Sequence, residues 1–180
     1  MEDYKRLVDS ARLANDGAVI YNGSIDHAKI LVESLFESAN KHVRILSGDL
    51  DPRVYGTTEV IEKARIFLAN PRAKIQILVE NLDDEFFRHH TLQRLLGEEV
   101  LKDQIEVKRT TVESPYRFDF HMMSADENSY RYEGDKTKPE AIAAFGDDGV
   151  CKNLVSVFDT LWDDTTNVSL FSDLETESNS

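Results

Sequence analysis

The stretch SIDHAKILVESLFESANKHVRILSGDLD, Ser24–Asp51, holds a complete helix-strand unit. Ser24 is a side chain that can accept from the free N–H groups of a first helical turn. Ile25, Ala28, Val32, Leu35, Phe36 and Ala39 then recur at helical spacing and make one apolar stripe. After Asn40 and Lys41 the pattern changes to Val43-Arg44-Ile45-Leu46, a short buried strand. It ends in Ser47-Gly48-Asp49, whose side chains are placed to line a cleft.

The pattern repeats downstream. A helix is expected over Thr58–Asn70, with Val60, Ile61, Ala64, Phe67 and Leu68 on one side. Pro71 stops it, and Ile75–Val79 forms the next strand. Two such units in succession imply parallel strands covered by helices. A further helix is expected over Glu85–Glu99 and a strand over Ile105–Val107. The second half reads differently. Phe118–Met123 alternates as a half-buried strand, Asp126-Glu127-Asn128 turns, and Ser129–Tyr132 returns as its hairpin partner. Ala141–Phe145 is a short strand, and Cys151, Leu154, Val155, Phe158, Leu161 and Trp162 stripe a last helix over Asp148–Asp163. Upstream, Tyr4, Leu7, Val8 and Ala11 suggest a helix within residues 1–16. Asn15-Asp16-Gly17 breaks it before a strand at Ala18–Tyr21. The expected organisation is an N-terminal helical segment (1–16), one α/β domain (17–164), and a mobile acidic tail (165–180) rich in Ser, Thr and Asn.

Composition bounds the function classes. The chain has 180 residues, 41% hydrophobic and 31% charged, in the range of one globular domain. No apolar run approaches the ~20 residues of a membrane helix, and the first residues do not lead into an apolar signal segment. Cys151 is the only cysteine, so no internal disulfide forms, and a cytoplasmic setting is expected. The formal charge of -13 excludes a broad nucleic-acid surface. Lys102, Lys108, Arg109, Arg117 and Arg131 leave room for a local basic groove, or simply make a solvated face.

The order of these elements resembles one repeat of the phospholipase D superfamily. Ser24–Asp51 resembles its opening helix and strand. VIEKARIFLANPRAKIQILVE (60–80) resembles the second unit, FDFHMMSADENSYRYE (118–133) stands where the catalytic hairpin belongs, and AIAAFGDDGVCKNLVSVFDTLWDDT (141–165) resembles the closing strand and helix. The resemblance implies an α/β fold with a mixed sheet flanked by helices. It also implies phosphodiester chemistry carried by a motif of His, any residue, Lys, four residues and Asp, with a Gly-Ser-any-Asn signature downstream.

That motif fails here in either register. With His121 as the histidine, Met123 stands for the lysine and Asn128 for the aspartate. With Asp126 as the aspartate, Asp119 stands for the histidine and His121 for the lysine. Gly134-Asp135-Lys136-Thr137 stands near the place of the signature. Methionine cannot donate a charged hydrogen bond to phosphate. The leading expectation is therefore a non-catalytic binding or regulatory module of bacterial type. Its former active-site cleft would take a protein partner or a phosphate-bearing ligand, with Ser47, Asp49, Arg117, Asp119, His121, Asp126 and Arg131 as candidate contacts. The alternative is a phosphodiesterase or nuclease with His121 as nucleophile and Arg117 or Arg131 in place of the lysine, since arginine can clamp phosphate bidentately. His121 can equally be a structural histidine held beside Arg131 and Asp126. Single-motif members of the superfamily pair across this face, which implies a homodimer.

No cofactor or metal is expected. His89 and His90 are adjacent on a helix and point about 100° apart. Asp49-Leu50-Asp51 and Asp83-Asp84-Glu85 follow strands, where acids also cap helices. No glycine-rich phosphate loop is present. Cys151 falls on an apolar stripe and reads as a buried thiol.

Overall fold

The computed structural model describes residues 1–80, 103–138 and 140–170. The helix expected over Glu85–Glu99, His89-His90, Asp83–Glu85, Lys102 and the tail beyond Leu170 lie outside the described residues.

Among the described residues eight strands form one open mixed sheet: β1 (Ile20–Asn22), β2 (His42–Ser47), β3 (Lys74–Val79), β4 (Ile105–Arg109), β5 (His121–Ala125), β6 (Ser129–Glu133), β7 (Ala141–Phe145) and β8 (Val168–Ser169). Their order is β1-β7-β6-β5-β2-β3-β4-β8. β2, β3 and β4 run parallel, as the helix-strand units require, and the other neighbours are antiparallel.

One face of the sheet carries α1 (Glu2–Ala14), α2 (Ile25–Ser38), α3 (Pro52–Tyr55) and α4 (Thr58–Leu68). Val43, Ile45, Ile75, Ile77, Val107 and Met123 meet Leu31, Leu35, Phe36, Ile61 and Ala64 in the main core on this face. The opposite face carries α5 (Asp148–Trp162), where Phe158, Leu161 and Trp162 pack on Leu46, Leu78 and Met122. The central strands β2 and β3 thus bury both faces, which is why they read as nearly continuous apolar runs. Cys151 lies in this second layer, fully buried, and burial pushes its thiol up to about 12.

Three details differ from the sequence reading. β5 starts at His121 rather than Phe118, because the Asp119 carbonyl accepts from the Lys136 N–H of a crossing loop. The tail does not begin at Thr165, since Val168 and Ser169 pair with Arg109 and Lys108 and add an edge strand. α1 is no separate segment, because Val8 is fully buried in the main core.

Candidate functional site

The cleft forms where the parallel strands end. Ser47 closes β2 and Gly48-Asp49 turn the chain into α3. Asp51 caps that short helix by accepting from the Arg53 N–H. Ser47 Oγ accepts from the Leu50 N–H and holds the turn, in which Leu50 sits at φ 54. Beside it stands the β5–β6 hairpin, whose register sets His121 opposite Glu133 and Met123 opposite Arg131. Together with Ile25, Ala28, Tyr55 and the 136–138 loop, these residues enclose a cleft of about 340 Å³.

At its floor His121 is held on both sides. Gly48 N–H donates to Nε2 at 3.1 Å, and Nδ1 lies 2.9 Å from Glu133 Oε1. An accepting Nε2 puts the proton on Nδ1, which donates it to the carboxylate. A Cβ at position 48 would come within 3.3 Å of Nε2, so a side chain there would press the imidazole aside by a few tenths of an ångström. Glu133 Oε2 also receives Arg131 at 2.6 Å. Burial alone would raise the Glu133 carboxyl. The His121 hydrogen bond and the Arg131 guanidinium outweigh it and hold it below the usual carboxylate range.

Arg131 belongs to a row across the sheet, Ile20–Ala143–Arg131–Met123–Ile45–Ile77–Val107, in which it is the only charged member. It is 4% exposed and Met123 is 0% exposed. In the register that takes His121 as the motif histidine, the lysine position is therefore sealed in the core, and a buried cation stands one strand over. That cation is committed to Glu133, because a buried guanidinium without a carboxylate would be strongly disfavoured.

The candidate residues divide. Ser47, Asp49, His121 and Arg131 line the cleft. Asp126 does not, and it is no neighbour of His121. It sits at the far end of β2, where Oδ1 accepts from the N–H groups of Lys41 and His42 and Oδ2 from that of Asn40. Asp119 is exposed and outside the lining. Arg117 lines a separate hollow with Glu80, Thr110, Thr111, Val112 and Lys136.

Sequence reasoning missed Glu133, although the Asp126–Asn128 turn fixes a register that puts residue 133 across from 121. It also missed Arg53, Lys136 and Lys138 at the rim, paired with Asp51 (2.6 Å), Glu80 (2.7 Å) and Asp135 (3.0 Å). Among the described residues no group of His, Cys, Asp and Glu side chains is arranged to hold a metal ion. No described helix is long and apolar enough to cross a membrane.

This architecture is a phospholipase D-like fold. NucT from Helicobacter pylori superposes with a TM-score of 0.55 at 12% identity, covering 86% of this chain and 98% of that one. Phosphatidylserine synthase from Haemophilus influenzae Rd KW20 gives 0.56 at 11% identity, covering 84% of this chain and 39% of that one. Both are members of the phospholipase D superfamily. TrmBL2, an archaeal chromatin protein whose structure shows a novel mode of DNA binding, gives 0.51 at 14% identity, covering 91% of this chain and 60% of that one. The chain thus spans well under two thirds of the synthase and just under two thirds of the chromatin protein. At these identities the likeness is one of fold. The chain belongs to the family described as a domain of unknown function, DUF7931, whose model matches residues 24–174. A comparison with curated proteins finds no match.

Proposed function

We propose that the protein is a non-catalytic phospholipase D-like module whose cleft receives a phosphate-bearing ligand. The observation that carries this reading is the double engagement of His121. A nucleophilic imidazole needs a free Nε2 lone pair, and here that lone pair accepts from Gly48. The position of the phosphate clamp is filled by the buried Met123. Without nucleophile and clamp held ready, the barrier to phosphodiester cleavage stays high. At the rim Arg53 is exposed but held bidentately by Asp51, so an anion there would have to compete with that carboxylate. With a charge of -13 the ligand is small rather than a polyanion. The reading includes a two-fold homodimer through the cleft face, to be checked by sedimentation at tens of micromolar, roughly where a micromolar dimer is mostly assembled.

The test is hydrolysis of bis(p-nitrophenyl) phosphate and of plasmid DNA, with and without divalent metal, by wild type beside His121→Ala. No turnover above background is expected from either. A second reading, an enzyme with Arg131 as clamp, is favoured by the Glu133–His121 bond, which is the contact that would orient a catalytic imidazole. Wild-type turnover that disappears in His121→Ala would establish it. Failure of both hydrolysis and phosphate binding would point instead to a protein partner.

A further inference from the structure

Among the described residues every cation lining the His121 cleft is matched by a carboxylate: Arg131 by Glu133, Arg53 by Asp51, Lys136 by Glu80 and Lys138 by Asp135. The hollow on the other side of Lys136 is different. It has a volume of about 330 Å³ and is lined, among the described residues, by Glu80, Thr110, Thr111, Val112, Arg117 and Lys136. Arg117 has no carboxylate partner among those residues. It donates instead to three backbone carbonyls of its own loop, Ser114 at 2.8 Å, Tyr116 at 2.7 Å and Val112 at 3.1 Å.

Carbonyl dipoles fix a guanidinium in place without cancelling its charge. Three of its N–H groups are spent on the loop, and the others stay available. Lys136, which lines both spaces, brings a second positive charge, offset by Glu80. Thr111 adds a hydroxyl whose oxygen is buried with no hydrogen-bond partner among the described residues. Val112, 86% exposed, gives the hollow an apolar shoulder. In a chain of charge -13 this is a preorganised, locally positive pocket with a donor to spare.

We propose that this second hollow, and not the floor of the His121 cleft, is the seat of the ligand's phosphate group, with Arg117 as its principal contact and Thr111 as a supporting donor. The ligand's remaining part would then extend past Lys136 into the neutral cleft. The inference rests on the preceding reading only in taking the ligand to carry phosphate.

The experiment is a chemical-shift titration of the full chain with inorganic phosphate at constant ionic strength. Saturable shifts centred on residues 110–117 are expected. Arg117→Gln should weaken binding by about tenfold or more, the scale of a lost charge-assisted contact. Thr111→Val, which leaves the guanidinium frame intact, should weaken it by about threefold and guards against a collapsed loop in the first variant. Lys152→Gln, which removes an exposed charge on α5 outside both linings, should leave affinity within about twofold, which is within ~0.4 kcal/mol. Absence of saturable binding, or binding lost in His121→Ala and kept in Arg117→Gln, would overturn the proposal. The second result overturns this proposal alone, whereas absence of saturable binding overturns the preceding reading with it, and phosphodiester turnover overturns the preceding reading without touching this one.

Discussion

Asp126 ties the hairpin turn to the start of β2, and removing its carboxylate should unfasten two elements at once. The residue sits at φ 53, a left-handed conformation that Asp and Asn adopt more readily than other side-chain-bearing residues. Its oxygens accept from Lys41 N at 2.8 Å, His42 N at 2.9 Å and Asn40 N at 2.9 Å. Asn40 and Lys41 are exposed, so water replaces much of what they lose, whereas His42 is half-buried. A charge-assisted bond contributes roughly 1.5–3 kcal/mol when dry and less when wet. Two wet bonds and one drier bond, with the left-handed strain of an alanine added, give about 3 kcal/mol for Asp126→Ala. In a domain of this size that is a fall of about 6–12 °C in Tm. Asp126→Asn keeps the backbone preference and one acceptor and should lose about 1 kcal/mol. Urea unfolding of the three proteins measures both differences. Five residues of strand, about 16 Å, separate Asp126 from the His121 end of the sheet, so phosphate affinity should not change in either variant. An Asp126→Ala protein within about 0.5 kcal/mol of wild type, the usual scatter for inert surface changes, would refute the anchoring role. Altered phosphate affinity at unchanged stability would return Asp126 to the ligand site.

Two further outcomes follow from geometry elsewhere. Gly146 lies at φ 84, and a Cβ there would overlap the Asn15 carbonyl that ends α1. Gly146→Ala should therefore destabilise by about 3 kcal/mol or more, measured as a lower urea midpoint, with release of α1 seen as faster amide exchange around Val8. Burial first, and then the Arg44 charge, lower the His42 pKa below its ordinary 6.5 in the folded chain. The unfolded chain therefore takes up the proton first, and this contribution to stability is complete above pH 6.5 and is lost as the pH falls below it. Unfolding at pH 7.5 and 5.5 should show that loss in wild type and a smaller one in His42→Gln. The window lies above the carboxylate range, so Glu133 does not enter it.

The helix-strand units were readable because β2 and β3 bury both faces and so present unbroken apolar runs after striped helices. The hairpin was readable from its alternation, yet its start was misplaced. Phe118 and Phe120 continue the alternation while the loop carrying Lys136 diverts their backbone. α3 was overlooked because four residues show no periodicity, although Asp51-Pro52 is a cap followed by a residue suited to the first turn. The site was half legible. Composition and motif pointed to His121, Ser47 and Asp49. Whether a charged side chain meets a carboxylate, a carbonyl or open space depends on which loops converge, and no local pattern records that. Arg117 and Arg131 look equivalent in the sequence. One is wrapped by its own loop and the other lies inside the sheet. Asp126 looked like a member of the hairpin's chemistry because it adjoins it in the chain, while its partners lie more than eighty positions upstream.

The pairing of Met123 with Arg131 has a consequence for the history open to this sequence. Residues facing each other on neighbouring strands stand roughly 5 Å apart, and like charges there repel. A lysine arriving at 123 would place an ammonium against a buried guanidinium, with the single carboxylate of Glu133 left to answer both. Neither exchange can be made alone without passing through a less stable intermediate: changing 131 first strands Glu133, and changing 123 first doubles the charge. The two positions are locked as a pair, so drift at this hairpin is a one-way door unless both sites change together. Lineages carrying Arg131 should accordingly hold an uncharged residue at 123.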